Sequence, residues 1–191
     1  MSVQAPHTSP LAGLGVTSPV LAAPMAGGPT TAALVTAAAR SGGIVVVAMI
    51  TGATRLPVIA AGGLATPAQV AAVIQAGAQA VMVGTALLRT PKSGASAAHQ
   101  AAIADGSRGE TVLTRSFSGR PARAIRNRFI DQFDALAPSG YPALHHLTSP
   151  IRKAAAAAGD LEAVHLWAGT GYRQATTGAA ADVLRMLAAA L

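Results

Sequence analysis

The sequence predicts an α/β protein in which a parallel sheet is followed by a mainly helical C-terminal segment. Two short apolar runs, Pro57 to Ala61 and Ala80 to Val83, have the length and composition of strands buried on both faces. A helix signature lies between these runs, and each run ends in glycine. The order strand, helix, strand is typical of a βα unit, so both strands should lie in one parallel sheet.

The helix between the two strands is marked at both ends. Thr66 can cap its N-terminus, and Pro67 occupies the first helical position, where a missing N–H costs nothing. Gly77 stands where a left-handed residue would end the helix. These signals predict a helix that begins at Pro67 and ends just before Gly77.

The two glycine loops indicate an anion site. Gly62 and Gly63 follow the first strand, and Gly84 and Thr85 follow the second, so both loops leave the same edge of the sheet. Their N–H groups could point at one phosphate, helped by the N-terminal end of a helix after Thr85. A single loop of this kind is more often an ordinary βα turn, but two in succession favour a phosphate.

Composition narrows the class of protein. The chain is 51% hydrophobic and 11% charged, has a mean hydropathy of +0.45, and contains no cysteine. No apolar run reaches the roughly 18 residues of a membrane span, and the N-terminus shows no signal peptide. Disulfides, thiolate metal ligands and cysteine nucleophiles are excluded. We expect a cytoplasmic protein with no membrane partner.

A net charge of +7 and a pI near 11.3 raise the possibility of nucleic-acid binding. Six arginines gather between Arg108 and Arg128, but no ladder of aromatic residues runs among them to stack bases. The low count of acidic residues explains the charge equally well. Nucleic-acid binding is therefore kept as an unfavoured alternative.

The segment VIAAGGLATPAQVAAVIQAGAQAVMVGTALL resembles the closing strands of the flavin-dependent nitronate monooxygenases, formerly called 2-nitropropane dioxygenases. These enzymes are (β/α)₈ TIM barrels that bind FMN and oxidise alkyl nitronates with O₂. The resemblance implies that the FMN phosphate is held by Gly62, Gly63, Gly84 and Thr85, with Met82 nearby.

The start of the chain carries a second part of the resemblance. Pro19 to Ala23 is predicted to be a strand, and Ala-Pro-Met-x-Gly follows it. On composition alone this is a strand running into a turn, but the resemblance implies that Ala23, Pro24 and Met25 lie against the flavin ring. A helix should follow, from Thr30 or Thr31 to about Arg40. The next apolar stretch reads either as a second strand, Ile44 to Ile50, or as the tail of a helix, Val46 to Thr54.

A central segment of the family's barrel is missing near residues 44–55. A complete barrel takes roughly 200 to 250 residues, but only three or four strand centres are present here, at Val20, Ile44, Val58 and Val81. The family's active-site histidine, in a Gly-Gly-His-x-Gly segment, has no counterpart, so no catalytic residue is assigned. We expect reduced or no activity; the alternative is a non-catalytic flavin- or phosphate-binding remnant. Open sheet edges also suggest a homo-oligomer.

The predicted fold is thus an incomplete (β/α)₈ TIM-barrel-like parallel sheet with a mainly helical C-terminal segment. We place the partial FMN-binding portion at residues 1–106 and the C-terminal segment, packed on it, at residues 107–191.

The C-terminal segment should contain a short strand and several helices. We predict a helix from Ser93 to Ala104, a strand from Thr111 to Phe117, an Ala-rich helix from Pro150 to Ala158 and a last helix from Ala179 to Ala190. Another amphipathic helix should turn four side chains to the core: Ile125, Phe129, Ile130 and Phe133. Arg120 and Arg123 are interpreted as ion-paired surface residues, although they could also grip an anionic substrate.

The remaining polar residues give weaker signals. His145 and His146 are adjacent, so their side chains should diverge, and no metal site is expected. The isolated histidines His7, His99 and His165 are interpreted as structural or surface residues. The segment around Trp167, Gly169 and Tyr172 is either a glycine turn or, as the family's Trp-x-Gly-x-Gly stretch implies, part of the substrate pocket.

Overall fold

The computed structural model describes the backbone of residues 20–22 and all of residues 50–191. The chain divides into two compact units, the first ending at Gly84 but joined by Ala181–Leu191, and the second comprising Thr85–Ala180. Several predictions lie outside the described residues: the early helix, the strand at Ile44, His7, and the cofactor residues Ala23, Pro24 and Met25.

The first unit contains a three-stranded parallel sheet. Its strands are β1 (Val20–Ala22), β2 (Ile59–Ala61) and β3 (Ala80–Val83), in the order β1-β3-β2. Met82 lies opposite Leu21 on one side and Ala61 on the other. The prediction that the two glycine-ended strands are neighbours is confirmed. Across the described residues the sheet is open and does not close into a barrel.

Helix α1 (Pro67–Gln75) joins β2 to β3 and has the predicted ends. The Thr66 hydroxyl accepts a hydrogen bond from the Gln69 amide (3.3 Å), and the Gln69 side chain accepts one from the Thr66 amide (3.2 Å). This reciprocal capping box satisfies two N–H groups that the helix itself leaves unpaired. Gly77 has a φ of +103°, as a left-handed helix end requires.

Residues 50–53 are helical. The sequence left two possibilities for this stretch, a strand or the tail of a helix. Ile50 belongs to a helix. A separate element, helix α5 (Ala180–Leu187), buries Val183 and Leu187, whereas Leu184 is partly exposed. No helix in the described part of the chain has the length and apolar character needed to cross a bilayer.

The second unit is organised around an antiparallel hairpin. Strand β4 (Thr111–Thr114) pairs with β5 (Ala122–Ile125). Residues 164–168 run along the other side of β5: the Ile125 amide donates to the Leu166 carbonyl (2.9 Å) and the Ala168 amide to the Arg123 carbonyl (3.1 Å). The hairpin is thereby extended by an irregular third segment that carries Trp167.

Three helices complete the second unit: α2 (Ala97–Ala104), α3 (Arg128–Phe133) and α4 (Ala143–Ala158). Placing Ile125 on an amphipathic helix was wrong, because Ile125 is the last residue of β5. Asn127 separates the two elements: its side-chain oxygen caps α3 at the Ile130 amide (3.2 Å). Its side-chain amide donates to the carbonyls of Leu161 (3.1 Å) and Val164 (2.8 Å).

Helix α4 begins seven residues before the predicted start at Pro150, which lies inside the helix. Proline is favoured in the first turn of a helix, and that preference suggested the later start. An interior proline removes one backbone hydrogen bond and crowds the preceding turn. The helix nevertheless continues, and it ends at Gly159 with a φ of +70°.

Asp134 ties the end of β4 to the segment after α3. One of its carboxylate oxygens accepts from the Thr114 hydroxyl (2.7 Å), the Arg115 amide (2.8 Å) and the Ser116 hydroxyl (3.2 Å). Burial alone would raise the pKa of Asp134, but these hydrogen bonds outweigh it and hold the pKa below its ordinary value.

A carboxyl whose folded-state pKa is lowered stabilises the fold above its unfolded pKa, and this stabilisation is lost as the pH falls through the folded pKa. We therefore expect Asp134→Asn to lower the free energy of unfolding by about 1 kcal/mol at pH 7. The difference from the parent should shrink steadily below about pH 4. Urea unfolding across this pH range measures both effects. Asp131→Asn is the control, because Asp131 lies nearby in α3 but forms an exposed ion pair with Arg126; a pH-independent difference would contradict the assignment.

Candidate functional site

The glycine loops lie at the carboxyl edge of the parallel sheet. β2 and β3 run in the same direction with Ala61 opposite Met82, so the chain leaves both strands at one edge. Gly62 and Gly63 have φ values of +99° and +73°, a conformation that side chains other than glycine rarely adopt. No hydrogen bond joins the Gly63 amide to another described residue. A tight backbone turn with a free N–H at a strand end suits a phosphate oxygen.

Thr85 begins the segment that follows Gly84. The expected helix is a 3-10 helix of three residues, Thr85–Leu87, so the anticipated support from a longer helix dipole is absent at this position. The Thr85 hydroxyl oxygen accepts a hydrogen bond from the Gly169 amide (2.9 Å). Its own hydrogen remains available to donate to a ligand. The structure thus brings together Thr85 and Gly169, which the sequence assigned to two separate parts of a site.

The backbone of Trp167 is fixed from two sides. It forms a β-bridge with Ala124, and its carbonyl lies 3.0 Å from Nε2 of His99. Burial lowers the pKa of His99, although the Trp167 carbonyl opposes that shift. The half-buried indole packs edge-on against Phe117, with ring centroids 5.7 Å apart. His99, expected to be structural or superficial, is a buried residue that positions Trp167.

Tyr172 lies inside the core of the second unit. It is 1% exposed, and its hydroxyl lies within hydrogen-bond distance of the carbonyls of Arg108 (2.9 Å) and Gly109 (2.8 Å). Leu166, Leu88 and Ile125 belong to the same buried cluster. Trp167 and Gly169 are each more exposed than Tyr172.

Arg120 and Arg123 form none of the ion pairs found in the described part of the chain. Arg123 donates to the Thr111 carbonyl across the hairpin (3.0 Å), and the Arg120 guanidinium lies 5.8 Å from the centre of the Tyr141 ring. Both arginines therefore contribute to local packing. No group of three or more acidic or histidine side chains in the described ranges is arranged to hold a metal ion.

Sequence reasoning missed one buried residue altogether. Arg152 is 7% exposed and lies between His145 and His165, with its Nη2 atom 2.7 Å from the His145 carbonyl oxygen. Its spacing of seven residues from His145 would have placed the two on one helix face, had the helix been predicted to start before Pro150.

A parallel sheet with a helix between successive strands and with loops at its carboxyl edge defines an α/β protein. The sequence profile of the nitronate monooxygenase family matches residues 44–189, which is more than half of the chain. The chain belongs to the nitronate monooxygenase family, a family of enzymes.

Individual proteins are also similar to this chain. A probable nitronate monooxygenase from Staphylococcus aureus (strain Newman) is 46% identical over 103 residues, 52% of this chain and 29% of that protein. The crystal structure of nitroalkane oxidase from Streptomyces ansochromogenes superposes with a TM-score of 0.75 at 47% identity, covering 78% of this chain and 43% of the other. FabK from Thermotoga maritima superposes with a TM-score of 0.62 at 25% identity, covering 75% and 47%. The chain thus spans less than half the length of each of these proteins.

The hydrogen bond between Thr85 and Gly169 can be tested without a ligand. We expect Thr85→Val to remove the acceptor of the Gly169 amide and to destabilise the second unit by about 1 kcal/mol. Hydrogen exchange at Gly169 should become several-fold faster, as NMR would show. Thr85→Ser retains the hydroxyl and should leave the exchange rate near that of the parent. Equal exchange in all three proteins would mean that the contact does not exist in solution.

Proposed function

We propose that this chain is an FMN-dependent oxidoreductase of nitronate monooxygenase type, which oxidises alkyl nitronates with O₂. The observation that carries the proposal is the parallel pairing of β2 with β3, since it brings the loops after both strands to one sheet edge. Ligand sites of parallel α/β proteins form at this edge. Membership of the family supports the type of reaction.

The backbone at this edge suits the phosphate of FMN. Gly62 and Gly63 both have positive φ values, and the Gly63 amide has no partner among the described residues. In the proposal the phosphate is held by four residues: Gly62, Gly63, Gly84 and Thr85. Met82, on the central strand and partly exposed, provides an apolar contact.

The flavin ring is assigned to residues that follow β1. The last residue of β1, Ala22, lies opposite Val83 of β3, so the chain leaves β1 at the edge already described. Ala23, Pro24 and Met25 come next in the sequence and are proposed to contact the ring. When bound, FMN supplies the electron acceptor for nitronate oxidation. On the protein side, Trp167 and Gly169 are proposed to border the substrate, and Tyr172 supports them from the core.

No residue is assigned as the general base or acid. The histidine that the family resemblance implies has no counterpart in this sequence, and His99 is committed to the Trp167 carbonyl. The chain also covers 43% of nitroalkane oxidase. These observations favour one second candidate, a non-catalytic flavin- or phosphate-binding protein. In either case we propose a cytoplasmic protein that pairs with a second copy to cover the sheet edges.

The glycine turn can be tested through FMN affinity. We expect Gly62→Ala to weaken FMN binding several-fold, because a side chain at a φ of +99° forces the turn to move. Gly159→Ala is a matched control: it also has a positive φ and open space around the new methyl group, but it lies at the end of α4. Quenching of FMN fluorescence gives the two dissociation constants.

Gly84→Val should weaken FMN binding similarly, by pushing the backbone away from the phosphate. Equal FMN affinity in the parent and in both loop variants would remove the phosphate site from the proposal. Loss of affinity in Gly159→Ala as well would mean that general destabilisation is the cause.

Turnover separates the enzyme from the non-catalytic candidate. We expect oxygen uptake with an alkyl nitronate to be at least about 100-fold slower than in a full-length relative, because positioning and acid–base groups are each worth about that factor. FMN is supplied in excess so that weak cofactor binding does not imitate lost chemistry. Turnover near that of the relative would show that residues assigned here to packing perform the missing role.

A further inference from the structure

The Thr85 hydroxyl uses only part of its hydrogen-bonding capacity. Its oxygen accepts a hydrogen bond from the Gly169 amide (2.9 Å), and its own hydrogen has no acceptor among the described residues. A hydroxyl is both a donor and an acceptor, so the donor is left unused. Thr85 directly follows Gly84 of the proposed phosphate site and is partly exposed. An unused O–H donor in this place suits a phosphate oxygen.

The accepting side of the same hydroxyl holds the border segment, which consists of Trp167, Ala168 and Gly169. The first carbonyl of this segment lies 3.0 Å from Nε2 of His99 on α2, and its central amide donates to a carbonyl of β5 (3.1 Å). Its last amide donates to the Thr85 hydroxyl. Three successive residues of the border segment are thus each fixed by a backbone hydrogen bond to a different part of the second unit.

The three contacts of the border segment differ in how open they are to a ligand. His99 is buried, and β5 is paired with β4 along its whole length. Thr85 is partly exposed and is the partner that still has a free donor. A ligand can therefore act on the border segment through Thr85 without displacing any hydrogen bond that the protein already makes.

We propose that Thr85 couples the phosphate site to the border segment. A phosphate that accepts a hydrogen bond from the Thr85 hydroxyl strengthens the bond from the Gly169 amide to the same oxygen, and so holds the border segment in place. The inference rests on the proposed function, because it takes the ligand to be the phosphate of FMN. Thr85 is a positioning residue for the substrate, since it acts on the substrate side only through Gly169.

The physical cause of the coupling is polarisation of the hydroxyl. An O–H group that donates to an anion carries more negative charge on its oxygen, and hydrogen bonds in a chain strengthen one another by about 10–30% per bond. The bond to the phosphate is itself charge-assisted and about twice as strong as a neutral one. It also restrains rotation about χ1 of Thr85, which branching at Cβ already limits. The Gly169 amide therefore meets a stronger acceptor that is held in one orientation.

The coupling predicts that the cofactor prepares the substrate side of the site. Before FMN binds, the border segment opens more often, so the surface that meets the substrate is less well formed. The phosphate is remote from the reacting flavin ring, yet its binding energy contributes to positioning the substrate. Coupling between two sites is reciprocal, so a substrate held against the border segment should raise the affinity for FMN by the same factor.

Amide hydrogen exchange of the intact chain, followed by NMR with and without saturating FMN, tests the coupling. We expect FMN to slow exchange of the Gly169 amide by about threefold to tenfold more than that of the Asp160 amide, the effect of strengthening one hydrogen bond. The Asp160 amide donates to the Ala155 carbonyl at the end of α4 (2.9 Å), so it reports general stabilisation of the second unit by a ligand. Riboflavin has the same ring but no phosphate, and at equal occupancy it should not produce the additional slowing.

Three variants separate the coupling from a purely structural role of Thr85. In Thr85→Val the glycine loops still bind FMN, and saturating FMN should slow exchange of Gly169 no more than that of Asp160. Thr85→Ser retains the hydroxyl and should retain the additional slowing. Thr90→Val is the matched control, because the Thr90 hydroxyl donates to the Leu87 carbonyl (2.8 Å) and not to the border segment; it should respond to FMN as the parent does. The comparison of FMN with riboflavin needs only the parent, so it decides the question if Thr85→Val does not fold.

The coupling would be overturned if bound FMN slowed exchange of Gly169 no more than that of Asp160, or if riboflavin slowed it as much as FMN does. It would equally be overturned if Thr85→Val kept the additional slowing, since the flavin ring or the glycine loops would then be its source. Absence of any FMN binding to the parent would remove the proposed function and the coupling together. FMN binding without the additional slowing would remove the coupling alone, so the two failures can be told apart.

Discussion

The hydrogen-bonded pairing of β3 with a parallel strand on each side is the constraint on which the first unit depends. β3 has four residues, three of them buried, and without β1 and β2 its backbone N–H and C=O groups would be unsatisfied in an apolar environment. Because both partners are parallel to it, every loop that follows a strand is delivered to the same edge. The proposed phosphate site is a consequence of this pairing, since Gly63 and Gly84 would otherwise belong to two unrelated turns.

The second unit depends on a different interaction: hydrogen bonds from buried polar side chains hold irregular segments of the backbone in place. Residues 164–168 have no regular strand of their own, yet His99, Asn127 and the edge of β5 bind their backbone at four points. A buried carbonyl without a partner costs free energy comparable to a lost hydrogen bond. These side chains therefore determine where Trp167 lies as firmly as a strand would.

Much of the first unit could be predicted from sequence because its signals are local. Thr66, Pro67 and Gly77 fix α1 through capping chemistry that acts within four residues. The apolar runs of β2 and β3 needed no knowledge of their surroundings. The second unit was harder, since Ile125 has helical spacing to Phe129 but pairs with Thr111 of β4, a contact that no local pattern reveals. The prediction that α4 starts at Pro150 was wrong for a related reason. Tertiary packing keeps α4 helical before Pro150, although the local preference of proline favours a helix start there.

The residues proposed for the candidate site could be chosen from the sequence, but the contacts between distant parts of the chain could not. The residues proposed for the phosphate all come from one continuous segment, whereas the contact of Thr85 with Gly169 joins positions 84 residues apart. The environment of Arg152 could not be predicted for the same reason, because its partner His165 becomes a neighbour only when the segment Val164 to Trp167 packs beside α4. Side chains that act across such distances require the fold to be known first.

Asn127 shows how narrow the chemical tolerance of such a buried link is. Its amide nitrogen donates to two carbonyls while its oxygen accepts from the Ile130 amide. Aspartate has almost the same shape and is an equally good helix cap, but it would set a negative charge against the oxygens of Leu161 and Val164. Hydrolysis of this one amide, a change of a single heavy atom, would therefore leave the cap of α3 intact while driving away the segment that leads to Trp167. Spontaneous deamidation of Asn127, without any mutation, would therefore weaken the attachment of the segment that borders the proposed substrate site.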